Sequence, residues 1–517
     1  MSERVQKSIM NVKVGLVFYI LSFLLAFFSR KIFLECLGAE FIGLTGTLGE
    51  ILSFLNIAEL GLGSSIVFFL YKPLQENNRE EVCRITSMLA YLYRIIGLII
   101  FCGGVVVSLF FPLIFKNESL SLWLIYFTFY AFLASSVIGY IFNYRMLILS
   151  ANQQQYLVDA YMQTMSILQG VVQILLAWYF RNLYLWVSVQ LFFSILGCIL
   201  LNYRINHTYR WLKTDLHEGR VLLKDYPEIL RKTKQLFVQC IKEFAINRCD
   251  QIMIFAFVSL KMVAFYGNYM MIINKVVYLI NIMFNGVKAG IGNLIAEGND
   301  ENTMKVFWEL TALRIFATGA MIYPTTLFIQ PFISCWLGPE YRLSDTIVYL
   351  LMLYFFFALM NNIVSMYIFS SGLFHDVWAS FVELALSLGG MLLLGWKFGI
   401  AGLITAKIIS YLFVIVWKPY LLFHDGLHRS VWEFWRGQLR HYAIFLVFML
   451  AAMALKHYVV EPHVGSWLTL IVYAVAITAP LLALYFLALF ALTDGMKNFV
   501  RRQPLLYKML NRFIPSD

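Results

Sequence analysis

The chain has 517 residues, of which 61% are hydrophobic and only 13% charged, with a mean hydropathy of +0.74. A soluble globular protein of this size could not solvate such a surface, and apolar runs of about 20 residues or more exclude the short alternating segments of a β-barrel. The formal charge of +11 invites a nucleic-acid reading, but the bases fall mainly between apolar runs, where the positive-inside rule puts them.

The reading is an all-α polytopic membrane protein of about fourteen helices. In chain order they centre on Gly15–Phe33, Phe41–Leu70, Ile85–Phe111, Leu120–Leu149, Leu157–Phe180, Leu183–Tyr203 and Leu236–Leu260. The rest follow at Val263–Ile295, Val306–Cys335, Ile347–Ser370, Val377–Trp396, Ile400–Leu421, Tyr442–Tyr458 and Trp467–Ala491. The first run is long, with no small-residue cleavage site before the next, so no cleavable signal peptide is expected. Seven cysteines without a CxxC pair look like small buried hydrophobes, with no disulfide framework and no metal site.

Basic residues set the orientation. The densest cluster runs from Arg204 to Lys234, and the tail adds Lys497, Arg501, Arg502, Lys508 and Arg512. Both termini are therefore expected in the cytoplasm, with short external loops. The 204–234 segment mixes bases with Trp211, Leu212 and Leu216, which suits either the membrane surface or a solvated loop.

An internal repeat is suggested at three places. "NIAELGLG" from Asn56 and "NGVKAGIG" from Asn285 both fit N-x-x-[EK]-x-G-x-G, 229 residues apart. "NREEV" at 78 resembles "NDENT" at 299, 221 apart. "LSANQQQYLVDA" from Leu149 parallels "FSSGLFHDVWAS" from Phe369, 220 apart, and Gly170 then matches Gly390. The shift between 229 and 221 implies an indel of about eight residues near the end of the second helix. The expected organisation is an N-lobe over 1–205 and a basic linker over 206–234. A C-lobe covers 235–421, and two extra helices with a basic tail fill 422–517. Such lobes would flank a central cavity and rock to give alternating access.

On a helical wheel at ~100° per residue, Asn274, Tyr278, Asn281, Asn285, Lys288 and Gly292 form one polar stripe. Thr45, Gly49, Asn56, Glu59 and Gly63 form another. Such stripes face protein or water rather than lipid. Plain helix–helix contact explains the glycines best, and Lys288 could pair with Glu59. The seventh helix adds Lys242, Arg248 and Asp250; Arg30, Lys275 and Arg314 lie in other spans. Deep bases outnumber deep acids, which suits an anion, a phosphate above all. No Walker A, HExxH or GxSxG motif is present, so an enzyme is not expected.

"RKIFLECLGAEFIGLTGTLGEILSFLNIAELGLG" (Arg30–Gly63) and "RCDQIMIFAFVSLKMVAFYGNYMMI" (Arg248–Ile272) resemble polysaccharide flippases of the multidrug/oligosaccharidyl-lipid/polysaccharide exporter superfamily. The resemblance implies a substrate of undecaprenyl-pyrophosphate-linked oligosaccharide. It implies movement across the bacterial inner membrane for surface polysaccharide assembly, among membrane lipids and beside a polysaccharide polymerase. It also implies that cavity bases meet the pyrophosphate, here Arg248 and Lys288, with Arg30, Lys242, Lys275 and Arg314 as further candidates. Asn56, Asn274, Tyr278, Asn281 and Asn285 would line the polar path, and Glu59 or Asp250 would couple a proton or Na+. No cofactor is expected.

Two other readings stay open within the superfamily. A cation-coupled drug exporter would be expected to carry a carboxylate or proline in the first helix, which "VKVGLVFYILSFLLAFFS" lacks. A lipid II flippase is closer in architecture. A membrane polymerase or glycosyltransferase would need a larger external loop than any present.

Overall fold

The computed structural model describes residues 3–59, 62–116, 118–222, 248–285, 287–373 and 377–503. Among these residues the chain is all-helical, a polytopic membrane protein. Eleven helices are long and apolar enough to cross a membrane. That number falls short of about fourteen for identifiable reasons. The second predicted span is broken, most of the seventh lies outside the described residues, and the eleventh and twelfth run together as one helical stretch.

The chain divides into two compact units, Met1–Ala264 and Phe265–Asp517. In the first, α1 (Glu3–Leu37) leads to α2 (Ala39–Leu55), a single 3-10 turn at Asn56–Glu59, then α3 (Leu62–Gln75) and α4 (Arg79–Ser108). The short α5 (Phe111–Ile114) precedes α6 (Leu122–Asn143), α7 (Met146–Ala151), α8 (Gln155–Phe180) and α9 (Leu183–Thr208). Next come α10 (Leu216–Leu222) and α11 (Asp250–Phe257). Helix α12 (Leu260–Asn285) begins in this unit and continues into the second. Gly43 explains the packing of α2: a Cβ there would strike the Leu260 carbonyl, so only glycine allows this approach.

The basic segment after α9 is docked where it is described. Asp215 N donates to Ser87 Oγ at 3.0 Å, Arg79 lies 5.4 Å from the Trp211 ring, and a Cβ on Gly219 would strike the Ser87 carbonyl. Tyr209, Leu212 and Leu222 are buried. Residues 224–234 lie outside the described residues.

The second unit continues with α13 (Lys288–Ala296), α14 (Asp300–Trp336) and α15 (Asp345–Ser370). The stretch α16 (Val377–Tyr420) contains a non-helical residue, Gly399, at φ 57°. A 44-residue helix would be ~66 Å long, twice a bilayer's hydrocarbon core. The chain instead turns back here. Gly402 lies against the Leu394 carbonyl, and Gly390 would place a Cβ 3.0 Å from Ala406. The stretch is thus two antiparallel spans. Helix α17 (Val431–Leu455), a π-helical segment at Lys456–Val460, α18 (Glu461–His463), α19 (Trp467–Leu492) and α20 (Asp494–Arg501) complete the unit. Buried Lys456 fastens this addition: its Nζ lies 2.6 Å from Asp345 Oδ1 and 3.6 Å from Glu461 Oε1.

The repeat is visible in the backbone, with one correction. Helices α2 and α12 start 221 residues apart. So do the N-caps of α4 and α14, where Asn78 and Asn299 accept from the backbone N of Glu81 and Asn302 at 3.1 and 3.0 Å. Left-handed residues precede both caps, Asn77 and Gly298, again 221 apart. With both ends of the broken helix at one offset, no net eight-residue indel separates them. Burial agrees: Ile42, Leu44, Thr47, Leu48 and Leu52 are buried, as are Val263, Phe265, Asn268, Tyr269 and Ile273, each 221 later. The match of Asn56 with Asn285 is thus a resemblance of letters, and Glu59 and Lys288 are not structural counterparts. Farther on, the left-handed pairs Gln153/Gly372 and Arg181/Gly399 put the offset at 219 and 218. The 220 read from the letters is one residue long at the first of these turns.

Candidate functional site

A broken second helix recurs in both units. Unwinding at Asn56–Glu59 in one, and between Asn285 and Lys288 in the other, interrupts backbone pairing that lipid cannot replace. Each break is flanked by a polar node at the third and fourth helices of its repeat.

In the first unit the node is acidic. Glu59 accepts from Tyr93 Oη at 2.8 Å and from Tyr140 Oη at 3.2 Å. One turn earlier, Asn56 Oδ1 accepts from Ser136 Oγ at 2.9 Å. A lone carboxylate in a low-dielectric region is costly, and two phenol donors offset part of that cost. Gly63 keeps the space open, since a Cβ would lie 3.3 Å from Tyr93 Oη.

In the second unit the node is basic. Arg314 is fully buried. Its Nε donates to the Leu359 carbonyl at 3.0 Å and one terminal nitrogen to Asn281 Oδ1 at 2.8 Å. The guanidinium also lies 4.7 Å from the Phe284 ring. Its other terminal nitrogen is buried with no partner among the described residues. In this repeat the third-helix residue at Tyr93's position is Arg314.

The other predicted site residues are distributed as follows. Arg248 is exposed just before α11, and Asp250, the first residue of that helix, is half-buried. Arg30 donates to the Ala264 carbonyl at 3.0 Å, tying α1 to the start of α12. Lys275 is half-buried on α12, where Asn274 and Tyr278 are exposed. Lys288 opens α13, but its side chain and that of Asn285 lie outside the described residues, as does all of Lys242. The structure therefore brings Asn56 and Glu59 into one node and Asn281 and Arg314 into another. Tyr93, Tyr140 and Ser136 are the functional candidates that the polar-stripe reading missed. Their signal was positional: Tyr93 precedes Arg314 by the repeat spacing.

Among the described residues no group of three His, Cys, Asp or Glu is placed to hold a metal ion.

No protein-family model and no curated protein sequence matches the chain. Solved structures do. "Lipid II flippase MurJ, inward closed conformation" is 14% identical and covers 93% of this chain and 99% of its own, with a TM-score of 0.66. An inward-facing multidrug resistance MATE family transporter of the MOP superfamily is 15% identical and covers 81% of this chain and 98% of its own, with a TM-score of 0.55. Both are transport proteins of bilayers, and the chain has the fold that they share.

Proposed function

We propose that the protein is a flippase that carries a polyprenyl-pyrophosphate-linked oligosaccharide across the bacterial inner membrane by alternating access. The observation that carries this reading is the extent of the fold match. A flippase of a lipid-linked saccharide is matched over nearly the whole chain, whereas the drug transporter leaves about a fifth of it unmatched. The mixed polarity of the two nodes supports a substrate with an anionic head and many hydroxyls. Exposed Arg248 and Lys288 would meet the pyrophosphate as charge-assisted donors. Arg314, already committed to Leu359 and Asn281, would position the end of α12 rather than bind substrate. Glu59, between two tyrosines, is where a coupling proton or Na+ would act. Lipid II is the second substrate to weigh, because the longest fold match is to its flippase.

The test is translocation in proteoliposomes loaded with a fluorescent polyprenyl-pyrophosphate oligosaccharide, or separately with fluorescent lipid II. Protein-dependent flipping of the oligosaccharide, lost in folded Arg248→Ala and Lys288→Ala proteins, is the expected result. Preferential flipping of lipid II would replace the substrate. Export of cationic dyes without flipping of either lipid would overturn the proposal.

A further inference from the structure

A cavity of about 330 Å³ opens in the second unit, away from both helix breaks. It lies where the start of α17 and the start of α20 meet α14. Two glycines shape it: a Cβ on Gly437 would strike the Trp308 ring, and one on Gly495 would strike the Trp308 carbonyl. The ring of His441 stacks on Trp308, parallel to within 3° at 6.0 Å.

The polar lining is unbalanced. Arg436 and Arg440, one turn apart on α17, both border the cavity and are exposed, with no ion pair among the described residues. Glu433 is paired with Arg429 at 3.1 Å, leaving Asp494 as the other acid of the lining. His441 is 3% exposed, and its Nε2 is buried with no partner among the described residues. Its Nδ1 lies 3.0 Å from the Gly437 carbonyl. A carbonyl only accepts, so Nδ1 carries the proton and Nε2 offers a lone pair. The cavity therefore presents two guanidinium groups for an anion and one buried acceptor for a hydroxyl. Beyond it, Leu439, Leu446, Val447 and Leu450 are exposed along α17, and Trp432 is exposed at its first turn. An aromatic at the start of an apolar helix marks a membrane–water boundary.

We propose that this cavity binds an anionic phospholipid with a hydroxylated headgroup, phosphatidylglycerol. The phosphodiester would sit on Arg436 and Arg440, a glycerol hydroxyl would donate to His441 Nε2, and the acyl chains would follow the exposed face of α17. Basic pockets between spans are where anionic headgroups bind, and the volume falls within the usual range of roughly 300–1,000 Å³ for ligand sites. The lipid is resident rather than cargo, so the inference does not rest on the transport reading.

The full chain in nanodiscs would be titrated with fluorescent phosphatidylglycerol, phosphatidylmethanol (the same charge without the hydroxyl) and phosphatidylcholine, with inorganic phosphate as competitor. Phosphatidylglycerol is expected to bind roughly tenfold tighter than phosphatidylcholine. That preference should vanish in Arg436→Gln/Arg440→Gln, whose exposed positions allow folding. His441→Phe, which keeps the stack on Trp308, should abolish the preference for phosphatidylglycerol over phosphatidylmethanol while leaving charge selectivity. Equal binding of all three lipids, an unaffected double variant, or displacement of the lipid by millimolar phosphate would each overturn the proposal.

Discussion

Tyr93 and Arg314, 221 residues apart, occupy the same place in the two repeats and do opposite electrostatic work. Tyr93 donates to a carboxylate, Glu59, at 2.8 Å, and Arg314 donates to an amide, Asn281, at 2.8 Å. The acid and the base are thus held by the same architecture. Removing the hydroxyl in Tyr93→Phe should cost about 1.5–3 kcal/mol, because the lost hydrogen bond goes to a charged acceptor in a partly buried site. Thermal unfolding in detergent would show it as a lowered midpoint. An unchanged midpoint would mean that Tyr140 alone satisfies Glu59.

Arg314→Lys tests the second node. An ammonium cannot reproduce the planar fork that reaches both the Leu359 carbonyl and Asn281, so one acceptor is left unpaired. The expected loss is about 2 kcal/mol of stability. Arg314→Gln should be at least as damaging. Both are read by denaturation midpoint, with flipping assayed on the folded fraction.

Gly43→Ala should prevent α2 from seating on the start of α12, since the added methyl meets the Leu260 carbonyl. Overpacking of this kind costs about 1–3 kcal/mol or more, and a backbone atom cannot swing aside. Gly49→Ala is the control: no atom outside its own helix lies within 4 Å of its Cβ position. Yields of monodisperse protein should separate the two.

Gly298 and Asn77 share a left-handed backbone in equivalent turns. Gly298→Asn should therefore be nearly neutral, whereas Gly298→Val should cost about 1–2 kcal/mol, because a β-branched side chain disfavours that region. Melting curves of the two variants provide the comparison.

Glu118, in the loop before α6, has its carboxyl pushed up from the usual range, first by burial and then by Glu40. A carboxyl raised in the folded state contributes stability below its unfolded value that is lost as pH rises through the folded one. Glu118→Gln should flatten this acid-side gain and leave the midpoint slightly higher at neutral pH. Melting midpoints of both proteins across pH 4 to 7, roughly the carboxylate titration range, would check it.

The sequence alone determined the membrane, the helical class and the span order, because apolar runs of bilayer length have few other uses. It also exposed the repeat, though with a false register. The N-cap asparagines Asn78 and Asn299 matched as letters because capping demands that chemistry. The left-handed turns did not match, since Asn77, Gln153 and Arg181 stand where Gly298, Gly372 and Gly399 do, and backbone shape can be kept by different residues. Only the tertiary structure set the register, by placing both ends of each broken helix. It alone joined Glu59 to Tyr93 and Tyr140, and Arg314 to Asn281. Those partners come from helices far apart in the chain, and a helical wheel places residues on their own helix, not against the next one. The cavity beside Trp308 belongs to the same class, since Gly437, Gly495 and His441 acquire their meaning only where three helices meet.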